Sequence, residues 1–172
     1  FLRRVTAQQH PAGYWSEGGG PVVLYNFVYA EALGVYYAMS RDVQVLPALE
    51  KAAAFHWHFT YPDGRNVETI DQRNPYHETV ASGNVGFTFS PLGRSYLDRQ
   101  WKRGSNPTAD VIASLVQHGD EGALSDAAAK ADDSFVLSED GVPRAATIRR
   151  GPWFVCLSAY TGAVANNRWH QD

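Results

Sequence analysis

The sequence predicts a mainly α-helical protein in which a shorter strand region follows the helices. Apolar residues between Val22 and Ser40 recur every three or four positions, which is the spacing of one helix face. Ser90 followed by Pro91 is typical of the start of a helix. After Asp132 the chain is rich in β-branched and aromatic residues, and Asp-Gly and Gly-Pro pairs separate the runs, as in hairpins.

The helices are placed by periodicity and by their start and stop residues. Pro11 and Gly13 end the first helix, and Pro21 suits the first turn of the second. Pro47 falls within the first two turns of the third, where proline is tolerated. The alanine content favours a short last helix. The predicted helical ranges are 1–9, 22–40, 43–59, 90–102, 107–118 and 120–131.

A long polar connection separates the helices, and strands follow them. Residues 60–78 contain the turn signal Pro62-Asp63-Gly64, and long ordered loops in compact domains are often functional. Strands are predicted at 145–150 and 153–160, within a region that begins near Ser134. The change in composition places a domain boundary after residue 131, giving domains 1–131 and 132–172.

Composition argues against several classes of function. With 15 basic and 18 acidic residues, the net charge of −3 gives no general argument for nucleic acid. No apolar run approaches the ~18 residues that span a bilayer. Cys156 is the only cysteine, which excludes an internal disulfide and a thiolate zinc site, and its apolar surroundings predict a buried, inert thiol. No nucleotide-binding or metalloprotease motif is present, so no cofactor is expected.

His56 and His58 have the H-x-H spacing that suits a metal on a strand. Both fall within a predicted helix, where residues two positions apart point in different directions. We therefore expect no metal site there.

The segment "AGYWSEGGGPVVLYN", from Ala12 to Asn26, places a glycine triplet before a Tyr-Asn pair at the start of a helix. Tyr25 in a cleft could transfer a proton, provided that a nearby cation or donor lowers its pKa from about 10. Asn26 could donate to a carboxylate without carrying a charge. The alternative is that Tyr25 packs in the core and that Asn26 caps the helix or faces solvent.

Other residues are also open to two interpretations. Trp15 and Tyr14 suit either stacking on sugar rings or core packing. Glu17 suits either a general acid or an acceptor for backbone N–H groups at a helix start. In the polar connection, arginine and amide donors could hold an anion, or the loop could satisfy its own polar groups. The candidate residues there are Arg73, Asn74 and His77.

The helix predicted at 90–102 and the residue after it are locally basic. This surface is either solvated or the rim of a site for a polyanion. Its cations are Arg94, Arg99, Lys102 and Arg103, against one Asp98.

Taken together, "PAGYWSEGGGPVVLYN", "YPDGRNVETIDQRN" and the helix-to-strand change near Ser134 resemble the heparinase II/III-like polysaccharide lyases and their alginate-lyase relatives. The resemblance implies that residues 1–131 form part of an α/α toroid, an incomplete barrel of helical hairpins. Residues 132–172 would then form the first strands of an antiparallel β-sandwich.

The resemblance also implies an activity. Such lyases cleave uronic-acid polysaccharides by β-elimination: an Asn or Gln and a His neutralise the substrate carboxylate, and a Tyr acts as base and acid. Tyr25 matches the catalytic tyrosine, with Tyr29 as the alternative match. Trp15, Glu17, Asn26, Arg73, Asn74 and His77 would contact the substrate. Ala12 departs from the family, which often has Asp there, and the family's neutralising Asn and His would precede Phe1.

These expectations define the environment and the competing functions. We expect an anionic polysaccharide substrate, a periplasmic or secreted location, and no nucleic-acid or membrane partner. The chain is expected to be a piece of a longer protein, whose exposed apolar flank would pair with the missing parts or a second copy. The first alternative is a glycoside hydrolase using Glu17 with Asp63 or Asp71. The second is a non-catalytic sugar-binding module built on Trp15, Tyr14 and the basic helix.

Overall fold

A computed structural model describes residues 2–16, 20–70, 83–126, 130 and 132–160. Within them a helical part precedes a three-stranded antiparallel sheet, which confirms the predicted order. None of the helices in the described part is both long and apolar enough to cross a membrane. The elements are α1 (Leu2–Ala7), α2 (Val23–Ser40), α3 (Leu46–His58), α4 (Val85–Thr88), α5 (Pro91–Lys102), α6 (Ala109–His118), β1 (Asp132–Glu139), β2 (Val142–Arg150) and β3 (Trp153–Ser158).

Local signals explain where the longer helices begin and end. Arg41 ends α2 in a left-handed conformation, with φ of 57°, and its N–H donates to the Tyr37 carbonyl. A single 3-10 turn, Val43–Val45, then leads directly into α3. At the start of α5 the Ser90 hydroxyl accepts a hydrogen bond from the Gly93 N–H, as expected for an N-cap.

Two predictions of local structure were wrong, and one helix was missed. Pro21 precedes α2 and pairs with Ser16 in an isolated β-bridge, so it lies outside the first helical turn. The short helix α4, which begins after Asn84, was not predicted. The helix predicted over 120–131 is absent from residues 120–125. There the backbone makes tertiary bonds instead: the Asp120 N–H donates to the Thr88 hydroxyl, and the Ser125 N–H donates to the Ser95 hydroxyl. Such contacts override the helix propensity of alanine.

The main core lies between α2, α3, α4 and α5, and its centre is a close approach of α2 and α4. Gly34 on α2 faces Gly86 on α4 so tightly that a Cβ at position 34 would lie 2.3 Å from the Gly86 nitrogen. The helices can therefore pack backbone to backbone only because both positions are glycine. Leu33, Leu49 and Phe87 are among the buried side chains of this core.

The sheet has the order β1-β2-β3, and one of its faces packs against the helical part. A second buried cluster joins Phe55 of α3, and Phe59 directly after it, to Leu137 of β1 and Ala145 of β2. The opposite face leaves apolar side chains exposed, so the sheet is covered on one side only among the described residues. The most exposed of these are Trp153, Val155, Leu157 and Val136.

Candidate functional site

Tyr25 lies in the first turn of α2 and is partly exposed. Val22, directly before the helix, is extended and almost fully buried, which fixes the direction in which the chain enters α2. The next residue after Tyr25, Asn26, is completely buried. The first turn of α2 therefore has one buried side, which carries Asn26, and one partly exposed side, which carries Tyr25.

The Asn26 side chain joins three segments of the chain. Its Oδ1 accepts a hydrogen bond from the Trp15 N–H at 3.3 Å, and its Nδ2 donates to His56 Nε2 at 2.9 Å. The same Nδ2 lies 3.5 Å from the Gly13 carbonyl oxygen. Asn26 thus ties the segment before α2 to α3, and a buried amide with partners of this kind fixes the position of the helix.

His56 is a neutral, buried partner of Asn26. Its ring stacks on Phe27 with centroids 3.9 Å apart and also contacts Phe87 and Tyr96. Burial lowers the pKa of His56 to about 3, because the charged imidazolium would lose its hydration. Since Nε2 accepts from Asn26, Nδ1 carries the proton, and Nδ1 has no hydrogen-bond partner among the described residues.

Trp15 lies behind this first turn. Its indole N–H donates to the Val5 carbonyl at 2.8 Å, and Tyr29 stacks on its ring with centroids 5.1 Å apart. Trp15 is 3% exposed, whereas Tyr29 is 40% exposed. Of the four residues predicted in this region and described here, Tyr25 and Tyr29 have accessible surface, while Trp15 and Asn26 support them from within. That Trp15 and Asn26 contact a substrate stays a prediction.

The remaining predicted site residues lie outside the described residues: Glu17, Arg73, Asn74 and His77, together with Asp71 of the alternative hydrolase pair. Asp63, the other candidate of that pair, is described and is bound by Arg65, with 2.7 Å between Oδ2 and Nη2. Slight burial would raise the pKa of Asp63, but the hydrogen bonds from Arg65 outweigh it and lower the pKa. Within the described ranges no group of His, Cys, Asp and Glu side chains is arranged to hold a metal.

The two histidines of the H-x-H pair point in different directions, as the helical spacing predicted. His56 enters the core, whereas His58 pairs with Asp133, with 3.3 Å between Nδ1 and Oδ2, and stacks on Phe135. Burial lowers the pKa of His58, and the charge of Asp133 opposes this effect. Both rings therefore take part in packing, and His58 joins α3 to β1.

A polar network that sequence reasoning missed joins the helical part to the sheet. The hydroxyls of Tyr14 and Tyr160 each donate to Glu139 Oε1 at 2.6 Å, and Arg144 Nε lies 3.3 Å from Glu139 Oε2. The ring of His10 stacks on Tyr14. These residues come from distant parts of the sequence, and no local pattern marks Glu139 as their meeting point.

Burial and hydrogen bonding fix the ionisation states of the residues in this network. Burial and then the hydrogen bond to Glu139 raise the pKa values of Tyr14 and Tyr160 above the ordinary phenol value. Partial burial would raise the pKa of Glu139, but the hydrogen bonds from both tyrosines outweigh it and lower that pKa. The phenols stay protonated and the carboxylate stays ionised, so this network is a structural link and is poorly suited to proton transfer.

Replacing Tyr14 with phenylalanine is expected to lower the free energy of unfolding by about 1–3 kcal/mol, because the partly buried Glu139 carboxylate loses one of its donors. Chemical denaturation of the purified variant would measure this change. Tyr36→Phe is the matched control, since its hydroxyl donates to Asp42 at 3.1 Å near the end of α2. Equal losses in the two variants would contradict a special role for the Glu139 network.

Comparison with known proteins adds no relative to this description. No protein-family model matches the sequence, and neither a curated protein nor a solved structure matches it.

Proposed function

We propose that the chain is part of a polysaccharide lyase that cleaves a uronic-acid polymer by β-elimination, with Tyr25 as base and acid. The observation that carries the proposal is the position of Tyr25. It lies partly exposed in the first turn of α2, next to an asparagine that Trp15 and His56 hold in place. A catalytic phenol must be held within a few tenths of an ångström of its target, and an anchored helix start supplies that rigidity.

We propose further that residues 1–131 belong to an α/α toroid and residues 132–172 to a β-sandwich. The helix α3 follows α2 after a short connection, and successive helices joined in this way are the units from which helical toroids are built. The sheet buries one face and exposes Trp153, Val155 and Leu157 on the other, as expected for one half of a sandwich. These exposed faces would pack against the rest of a longer protein or a second copy of the chain.

The proposed chemistry uses one proton twice. The side-chain oxygen of Tyr25, acting as the base, removes the proton from C5 of the uronate, and the C4–C5 double bond forms as the C4–O bond breaks. The phenol then returns the proton to the leaving oxygen. The enolate that develops at the substrate carboxylate needs stabilisation, which is usually the largest catalytic contribution.

Asn26 and His56 do not have the accessibility needed to supply that stabilisation, since they are 0% and 1% exposed. We assign them to positioning Tyr25. Arg73, Asn74 and His77 remain the proposed contacts to the substrate carboxylate, together with groups upstream of this segment in the family. The proposed substrate is an anionic polysaccharide, and the corresponding location is periplasmic or secreted.

Turnover by the chain in its full-length context is expected to produce an unsaturated uronate, which absorbs in the ultraviolet. In Tyr25→Phe the rate should fall by about 10²-fold or more, because general acid–base catalysis is lost. Tyr29→Phe is the matched control, with a neighbouring exposed tyrosine on the same helix, and should retain activity. Loss of activity in Tyr29→Phe alone would move the catalytic role to Tyr29.

The same assay separates the alternatives. If new reducing ends form without ultraviolet absorbance, the result would favour the glycoside hydrolase over the lyase. If the protein binds the polysaccharide but produces no new reducing ends, the result would favour the non-catalytic sugar-binding module. The structure offers little support for a module based on Trp15 and Tyr14, because their rings are 3% and 2% exposed and have no free face for a sugar.

A further inference from the structure

A cavity of about 430 Å³ lies between the end of α3 and one side of α5. Among the described residues that line it, three are cations and one is a carboxylate, and that carboxylate, Asp98, is paired with Lys102 at 2.8 Å. Neither Arg99 nor Arg103 forms an ion pair with a carboxylate in the described part of the chain. The lining residues are Trp57, Ser95, Asp98, Arg99, Lys102 and Arg103.

Arg99 is held in one orientation at this cavity. Its guanidinium carbon lies 4.1 Å from the centroid of the Trp57 ring, and its Nη2 donates to the Trp57 carbonyl at 3.3 Å. Its Nε is buried and has no hydrogen-bond partner among the described residues. Burial and the nearby charges of Arg149 and Arg103 lower the pKa of Arg99 to about 9. The guanidinium therefore lies among like charges, and its buried Nε would reach a ligand only through a movement of the side chain.

Capping of α3 explains only part of this arrangement. Arg99 donates to the Trp57 carbonyl at the end of α3, where cations are favourable, and Arg149 donates to the Thr60 carbonyl two residues beyond the helix. That role uses Nη2 of Arg99 and leaves its Nε without a partner. It involves neither Arg103 nor Lys102, which also line the cavity: Lys102 pairs with Asp98, and the charge of Arg103 helps to lower the pKa of Asp63.

We propose that this cavity binds an oxyanion, held by Arg99 with Arg103 and Lys102 at the rim. The planar guanidinium offers paired donors that match sulfate, phosphate or carboxylate oxygens, and an anion would relieve the repulsion between the arginines. The oxyanion is either a free inorganic ion or the charged group of a sugar. The proposal goes beyond the lyase activity and does not depend on it, because Tyr25 is not among the lining residues.

Isothermal titration calorimetry of the full-length protein with sodium sulfate and with sodium glucuronate, at constant ionic strength, tests the site. Lys102→Gln/Arg103→Gln is the main variant, because both side chains are exposed and their loss should not prevent folding. Arg99→Gln is the second variant. Arg3→Gln/Arg4→Gln removes the same two charges from the exposed surface of α1 and serves as the matched control.

Binding of at least one probe is expected, with affinity about tenfold or more weaker in both cavity variants and unchanged in the control. Binding of sulfate alone would identify a tetrahedral oxyanion as the ligand, whereas binding of glucuronate would identify a sugar carboxylate. Absence of binding by either probe, or equal affinity in the wild type and Lys102→Gln/Arg103→Gln, would overturn the proposal. Because binding is measured without turnover, failure of this site is distinguishable from failure of Tyr25.

Discussion

Replacing Gly34 with alanine is expected to lower the free energy of unfolding by about 2–3 kcal/mol, because the new methyl group has no space. A Cβ at this position would lie 2.3 Å from the Gly86 nitrogen and 2.5 Å from its Cα. These are backbone atoms of α4, which cannot rotate away as a side chain could. Helix propensity alone predicts that the substitution would raise the free energy of unfolding, since alanine in a helix is about 1 kcal/mol more favourable than glycine.

Chemical denaturation of the variants would decide between the two effects. Gly86→Ala should behave like Gly34→Ala, because its Cβ would lie 2.2 Å from the Ala30 carbonyl oxygen. Ala32→Gly, at an exposed position of the same helix, calibrates propensity and should lose only about 1 kcal/mol. A Gly34→Ala protein that is more stable than the wild type would show that α2 and α4 are not in backbone contact.

Helix α2 illustrates what sequence could and could not predict. The three-and-four spacing of its apolar residues predicted the helix and an apolar stripe that passes through Leu33 or Gly34. The requirement for glycine depends on Gly86, which lies in a short helix that gave no periodic signal. Similarly, the alanine-rich segment after Gly119 has a high helix propensity, yet the Asp120 and Ser125 N–H groups bond to side chains of other elements. Local sequence patterns therefore predict local structure, whereas features that depend on tertiary contacts cannot be predicted from them.

The candidate site shows the same limit. Helical geometry correctly separated His56 from His58, because the direction of a side chain on a helix follows from its position alone. The burial of Asn26 depends on a histidine from the next helix, and that partnership is not encoded in any spacing. The Glu139 network depends on where a hairpin turn meets the segment containing Tyr14, which sequence alone did not indicate.

His56 gives the second large effect, a loss of stability in mildly acidic solution. Its pKa is lowered to about 3 in the folded protein, whereas an unfolded histidine has a pKa near 6.5. Between these values the unfolded state binds one more proton than the folded state, so stability falls as the pH is lowered. The limiting slope for one proton is about 1.4 kcal/mol per pH unit.

Replacing His56 with phenylalanine should remove this slope. Denaturation at pH 6 and pH 5 should show a loss about 1 kcal/mol larger in the wild type than in His56→Phe. The variant will itself be less stable, because Asn26 Nδ2 loses its acceptor. Phe87→Leu, a buried neighbour of the same ring, controls for that loss and should keep the wild-type slope.

Burial also lowers the pKa values of His58 and His10, but their contributions are common to all three proteins and cancel in the comparison. Equal slopes in the wild type and His56→Phe would mean that His56 takes up a proton in the folded state, and therefore that the Asn26–His56 pair is open to water.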